Sequence, residues 1–317
     1  MKLIEFYKKA ISIGIENDPR GKGFVEKLLK IENQKYNKLS SEEKEFFDKE
    51  ALTNPFADTR LLYGKADTEL KTIMVGIDIE TQELVLADRL REKGEKIDAI
   101  IAHHPEGLGL KGLSKVMQMQ ADIFSSFGVP IRIAEGMLSE RISEVERRVM
   151  PVNHNRAVDA ARLLNIPLIC THTPADNCVV SYLQKKIDDA NPFTVKDIMD
   201  IINEIPVYKD ARKNSAGPKI LAGSKDNRCG KIFVDMTGGT GGPKDIFKTL
   251  SASNVGTIIG MHIGEEHLKI AKENHINIVI AGHISSDTIG MNLLLKKVFE
   301  GKKVKIIECS GFNKYDL

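Results

Sequence analysis

Three apolar runs in this 317-residue chain end in a histidine, and two of those histidines have an aspartate four residues on. The first is Ile97-Asp98-Ala99-Ile100-Ile101-Ala102, which leads into His103-His104-Pro105. The second, Ile166-Pro167-Leu168-Ile169-Cys170, leads into Thr171-His172-Thr173-Pro174-Ala175-Asp176. The third, Ile276-Asn277-Ile278-Val279-Ile280, leads into Ala281-Gly282-His283-Ile284-Ser285-Ser286-Asp287. Imidazole and carboxylate together suit zinc, manganese or iron. Short β-branched runs bounded by turn residues read as buried parallel strands, and in open α/β sheets ligand-binding groups collect just beyond the carboxyl ends of such strands.

Each motif also has a plainer reading. His103 and His104 are adjacent, so an extended strand would point them to opposite faces, and only a turn, which Pro105 supplies, aims both into one pocket. Asp176 can cap a helix beginning at Cys178, and Ser285 or Ser286 can cap one beginning at Thr288. Three independent strand ends carrying the same chemistry are nevertheless a strange outcome of packing or capping alone, so the conjunction favours a metal centre.

The elements that would position these residues follow from periodicity. Apolar residues at helical spacing in the first sixty positions, with Ser40-Ser41-Glu42-Glu43 in the form of a capping box, predict an N-terminal helical extension over 1–57. A first α/β lobe is expected over 58–190, with strands at 72–79, 99–102, 129–133 and 167–171 and helices at 82–93, 116–127, 141–149 and 156–164. The pattern lapses over 191–228, read as an insertion or interlobe connection around a helix near 195–203. A second lobe over 229–317 has expected strands at 231–236, 256–260, 276–280 and 303–307. The fold class is therefore α/β, with parallel or mixed sheets flanked by helices, and residues near 100 and near 285 are expected to meet across a cleft between the lobes.

Composition narrows the function. A chain of this length buries a large core without metal support, so a metal here serves chemistry. The 46 basic and 44 acidic side chains nearly cancel, giving no global field for nucleic acid or an anionic membrane. Cys170, Cys178, Cys229 and Cys309 are widely spaced without a C-x-x-C pair, which suits free thiols in a reducing, cytoplasmic setting. No apolar run approaches the roughly 18 residues of a membrane span, and no secretory core opens the chain.

Thr237-Gly238-Gly239-Thr240-Gly241-Gly242-Pro243 lies between an expected strand and a helix, with Pro243 suited to that helix's first turn. It offers backbone N–H groups to an anion, or is simply a tight turn; Walker and dinucleotide spacings are both absent. The segment Gly260-Met261-His262-Ile263-Gly264-Glu265-Glu266-His267 adds imidazole and carboxylate after another strand, and His267, early in a helix, points into the same cleft or covers the surface. His275 reads as a loop residue, and His154 has no evident partner.

The order of these motifs resembles the Nif-three-like dinuclear-metal family, also known as GTP cyclohydrolase type two homologues. The resemblance runs from Asp58-Thr59-Arg60-Leu61-Leu62-Tyr63-Gly64 through the strand ending at Asp78, His103-His104-Pro105, His172-Thr173-Pro174-Ala175-Asp176, the glycine-rich turn and the His267 helix to Gly282-His283 and its following acid. It covers about residues 58 to 300. It implies His103, His104, Asp176, His283 and Asp287 as ligands of two divalent ions, a two-lobed α/β chain, and homo-oligomers, often hexamers built from trimers. The family usually has glutamate where Asp287 stands, so the carboxylate is set back by one methylene, roughly 1.5 Å. Glu106 also stands where an apolar side chain is more usual.

The expected chemistry is hydrolytic: two divalent ions about 3.5 to 4 Å apart bind and acidify water and clamp an oxygen on which charge accumulates. His172 and His267 are candidates for orienting ligands or moving protons, and Glu106 for an acid or base. The substrate is a small molecule, with the glycine turn hinting at a phosphate or nucleotide. The alternative is a metal-stabilised regulatory or ligand-binding scaffold without turnover.

Overall fold

A computed structural model describes all of residues 1–317. Two sheets organise it. The first has the order β1-β4-β3-β2-β9, with β1 Arg60–Tyr63, β2 Thr72–Gly76, β3 Ala99–Ala102, β4 Leu168–Cys170 and β9 Lys305–Cys309. The second has the order β5-β8-β7-β6, with β5 Lys219–Ala222, β6 Lys231–Asp235, β7 Val255–Gly260 and β8 Asn277–Ile280. All pairings are parallel except those of the edge strands β1 with β4 and β5 with β8.

The sheets share a plan. In each, the strand beside the antiparallel edge (β4 or β8) runs into a His-x-x-x-Asp segment that opens a long helix, Thr173–Ala190 or His283–Val298. These two helices lie back to back between the sheets. Cys178, Met291, Leu294 and Val298 join the core under the first sheet, whereas Val179, Leu183, Ile187 and Ile289 join the core under the second. Strand alternation supplies the other halves: Ile73, Val75, Ile101 and Ile169 face the helix pair, and Met74, Ile100, Leu168 and Cys170 face the outer helices. Both faces of each sheet are covered, which explains why the strands read as continuous apolar runs.

Four features differ from the sequence expectation. Residues 129–133 form no strand: Ile131 and Ile133 alternate by accident and stay exposed, while Ala134, Leu138 and Val145 are buried on one face of the single helix Ile131–Val149, entered at Pro130. The last strand, β9, returns to pair with β2, so sheet membership departs from a division of the chain at 229. Residues 191–228 supply β5 and the helices Val195–Asn203 and Pro206–Lys213, which pack on the second sheet through Val195, Ile198, Ile202 and Tyr208. The helix Leu3–Glu16 is core rather than extension, since Leu3, Phe6 and Ala10 are fully buried against Leu294, Leu295 and Val298. The helix Lys22–Lys38, with only Val25 buried, is the more peripheral part of that segment. The capping box is present: Ser40 Oγ accepts from Glu43 N at 3.2 Å, and the Glu43 carboxylate accepts from Ser40 N at 2.8 Å.

Candidate metal centre

The ends of β3, β4 and β8 deliver His103 and His104, His172, and His283 to one place. The chain bends at His103–His104 instead of continuing as a strand, and the two rings turn to the same side with centroids 5.1 Å apart. His172 lies 5.0 Å from His103 and His283 5.1 Å from His104, measured between ring centroids. Residues almost 180 positions apart in sequence thus meet between the lobes.

The capping readings of the acids do not hold. The helices begin earlier than expected, at Thr173 and His283, which leaves Asp176 and Asp287 in or just past the first turn with no capping bond from either side chain. Both carboxylates are buried and aimed at the histidines, where the positive ends of the helix dipoles favour negative charge. Ser286 instead donates to the Gly282 carbonyl at 2.6 Å and pairs with the Tyr208 hydroxyl at 2.8 Å.

Each central imidazole has one nitrogen engaged away from the cluster. His103 Nδ1 lies 3.3 Å from the Thr171 carbonyl, His104 Nδ1 2.6 Å from Asp78, and His172 Nδ1 2.8 Å from Asp58. A carbonyl or carboxylate only accepts, so the proton of a neutral ring sits on Nδ1 and Nε2 is left as an inward lone pair. Those lone pairs face carboxylate oxygens. His103 Nε2 is 3.4 Å from Asp176 and 3.5 Å from Asp287; His104 Nε2 is 3.4 Å, and His283 Nε2 3.5 Å, from the other Asp287 oxygen. His172 Nε2 is 3.8 Å from Asp176.

Burial makes this arrangement costly without a cation. His103 Nε2 and both Asp287 oxygens are buried and have no hydrogen-bond partner, each such loss costing roughly 1–3 kcal/mol and more when charged. Burial drives His103 down to about 4, against the pull of Asp287. Asp287 is opposed by burial but held below the usual carboxylate range by His103, His104 and His283. Asp176 is pushed by burial up to about 7. In His172 burial is outweighed by Asp176 and Asp58, and the ring rises to about 9. Orphaned donors of this composition, in overlapping groups whose ligand atoms lie within 4.8 Å of one another, could hold a metal ion: His103 with Asp176 and Asp287, His104 with His283 and Asp287, and His103 with His104 and His172.

The cluster faces a cavity of about 350 Å³ that also exposes Glu106, His262 and Asp235. Burial, reinforced by Glu80 and opposed by Arg156, pushes Glu106 up to about 7. His267 is not brought to the cluster. Its Nε2 lies 3.0 Å from the Gly242 carbonyl and its ring meets Phe247 edge-on, in a neighbouring cavity. The glycine turn lines the cavity with Thr237, Gly239, Thr240 and Gly241 and is braced from behind: Gln120 donates to the carbonyls of Gly238 and Thr240 at 2.7 and 2.6 Å, and Thr237 donates to Asn177 at 2.7 Å. The helix after it starts only at Ile246, so Pro243 precedes its first turn.

Sequence reasoning gave no role to Asp58, Asp78 or Asp235. Asp58 is fully buried and accepts from both His172 and Thr173, the latter at 2.6 Å. Its signal was its place in the Asp58-Thr59-Arg60 run. Asp78 carried the signal of an acid at the end of the strand neighbouring β3.

No protein-family model matches the chain, and a comparison with curated proteins finds no match either. Solved structures do match. A NIF3 superfamily protein from Sphaerobacter thermophilus is 27% identical, with a TM-score of 0.69 over 80% of this chain and 91% of that one. Reduced HcgD from Methanocaldococcus jannaschii is 16% identical, with a TM-score of 0.49 over 78% of this chain and 87% of that one. A protein from Thermus thermophilus is 14% identical, with a TM-score of 0.46 over 79% and 86%. The Sphaerobacter likeness, joined to the ordered His and Asp motifs on this two-sheet frame, makes the chain a divergent member of the NIF3 superfamily.

Proposed function

We propose that the chain is a hydrolase of small molecules that holds two divalent ions, with His103, His104, Asp176, His283 and Asp287 as ligands. The observation that carries this reading is the set of buried, unpartnered lone pairs on His103 Nε2 and both Asp287 oxygens, all directed at the same volume. The two Asp287-containing groups differ in access. His103, Asp176 and Asp287 are all buried, whereas His104 is partly exposed and His283 exposed beside the cavity. That difference supports one enclosed position and one open to substrate, as catalytic metal sites require.

Bound ions would supply Lewis acidity, lowering the pKa of water and polarising the substrate oxygen. The protein's own contributions are separate. Asp78 and Asp58 fix the tautomer and tilt of His104 and His172 through their Nδ1 contacts. Glu106, near neutrality and facing the cavity, is suited to move a proton to a leaving group. His172 is suited to hold a proton beside Asp176, and His267 acts only on the neighbouring cavity. No helix is long and apolar enough to cross a membrane, and family membership supports assembly into homo-oligomers.

A metal-dependent screen of small phosphate, nucleotide and amide substrates tests the reaction. Turnover that vanishes on chelation and returns with zinc, manganese or iron supports it. Full metal loading without turnover of any class leaves the scaffold reading in its place.

A further inference from the structure

The neighbouring cavity, about 250 Å³, is not a separate feature: Asp235, Thr240, Gly241 and His262 line both it and the metal-facing cavity. Its floor is the face of the second sheet that carries Phe233, Ile258 and Ile278, and its far wall is Phe124 and Phe247. Asp235 is the exception on that face. It follows Phe233 by two residues, so the pleat sends both side chains the same way, and its ladder partners across the sheet end are Gly260 and, beyond, Ile280. No ion pair or hydrogen bond engages its carboxylate, and burial alone raises it to about 6. A β-strand whose alternate positions build an apolar core gains nothing in packing from an unpaired acid there, which costs stability instead. Gly260 beside it has no side chain to fill the space above; a Cβ there would meet nothing closer than 3.6 Å.

We propose that this chamber is the recognition subsite for a ring-sized apolar group bearing N–H donors, of the amidine or aminoheterocycle type, with Asp235 accepting from those donors. This rests on the hydrolase reading, in which the reacting end of the same substrate lies in the metal-facing cavity. The walls select the group by shape and apolar contact, and Asp235 supplies the polar discrimination that such pockets place among a few convergent groups. A carboxylate takes two parallel N–H donors from one fork, which a ring without donors does not offer. A donor-free analogue leaves the acid unpaired, so it is discriminated against more strongly than a ring that differs only in size.

The test is calorimetric titration of the full chain with 2-aminobenzimidazole and with 2-methylbenzothiazole, a ring system of similar size without N–H donors. Aminobenzimidazole should bind at least tenfold more tightly, before and after chelation of metal. Asp235→Asn should abolish that preference while leaving 2-methylbenzothiazole unchanged. Gly260→Val, which fills the chamber with a strand-compatible side chain, should weaken both probes at least tenfold and decides the matter if Asp235→Asn does not fold. Equal binding of the two probes to the parent, an unchanged preference in Asp235→Asn, or binding that disappears on chelation overturns the subsite. Metal content, measured on the same samples, keeps the two readings apart: a metal-loaded parent that fails to discriminate sinks the subsite alone. A parent that discriminates yet takes up no metal sinks the hydrolase reading alone.

Discussion

The two carboxylate oxygens of Asp287 face different histidines: Oδ1 is 3.5 Å from His103 Nε2, and Oδ2 is 3.4 Å from His104 Nε2. One short side chain therefore addresses both halves of the cluster. The helix that bears Asp176 is closely packed by the helix that bears Asp287. Three residues on, Gly290 lies so close to the helix Thr173–Ala190 that a Cβ there would sit 2.4 Å from the Ala175 carbonyl oxygen. That contact fixes the spacing of the two helices that carry Asp176 and Asp287.

Asp287→Ala should accordingly abolish high-affinity binding of at least one ion. Asp287→Glu should also weaken binding, because the added methylene has to be fitted at a fully buried position. Calorimetric metal titration of both variants checks this, and parent-like binding by Asp287→Ala removes the residue from the site.

Gly290→Ala should destabilise the fold by about 2–3 kcal/mol, since the methyl has a backbone carbonyl in its way and the helices must part. Parting them also withdraws Asp287. Denaturant unfolding and metal titration should therefore report coupled losses, whereas lost stability with intact metal affinity would separate the helix contact from the site.

Asp78→Asn tests orientation with little structural cost. Asp78 is exposed, so stability should move by less than about 0.5 kcal/mol. The amide no longer anchors the Nδ1 proton as a charged acceptor, and metal affinity should fall roughly 10- to 100-fold. Unchanged affinity would mean that His104 is oriented by its packing alone.

Much of this was legible in the chain. The three strand-end motifs named the cluster because strand ends, histidine spacing and helix starts are local properties. What stayed hidden depended on distance. Asp58 acts on His172 across 114 residues, and Asp78 acts on His104 from the neighbouring strand, so neither forms a local motif with its histidine. His267 looked eligible because it follows a strand end, but its ring turns to Phe247 and the Gly242 carbonyl. The strand expected at 129–133 failed because two exposed isoleucines mimic alternation at a helix start, and β9 read correctly as a strand while its sheet did not.

Asp235 predicts a pH dependence of stability. Its folded pKa, about 6, lies above the ordinary value of 3.8. The folded chain therefore holds the extra proton between those values, and this contribution to stability is full below about pH 3.8 and lost as pH rises through 6. Asp235→Asn removes the loss. The variant should be more stable than the parent by about 1 kcal/mol at pH 8, after discounting for partial exposure, and nearly equal to it at pH 4. Urea unfolding at the two pH values measures the difference, and a variant less stable than the parent at pH 8 would show that the acid has a favourable partner.

The most direct test of the metal centre is elemental analysis of protein purified without chelator, alongside a variant with His103→Ala and His104→Ala. Two equivalents of divalent transition metal per parent chain after loading, and loss of both in the variant, is the predicted result. Affinity in the parent should fall on acidification through the histidine range near 6.5, where protons compete for the ligand nitrogens. Stoichiometric metal retained by the double variant, or a parent that takes up none, would contradict the assignment.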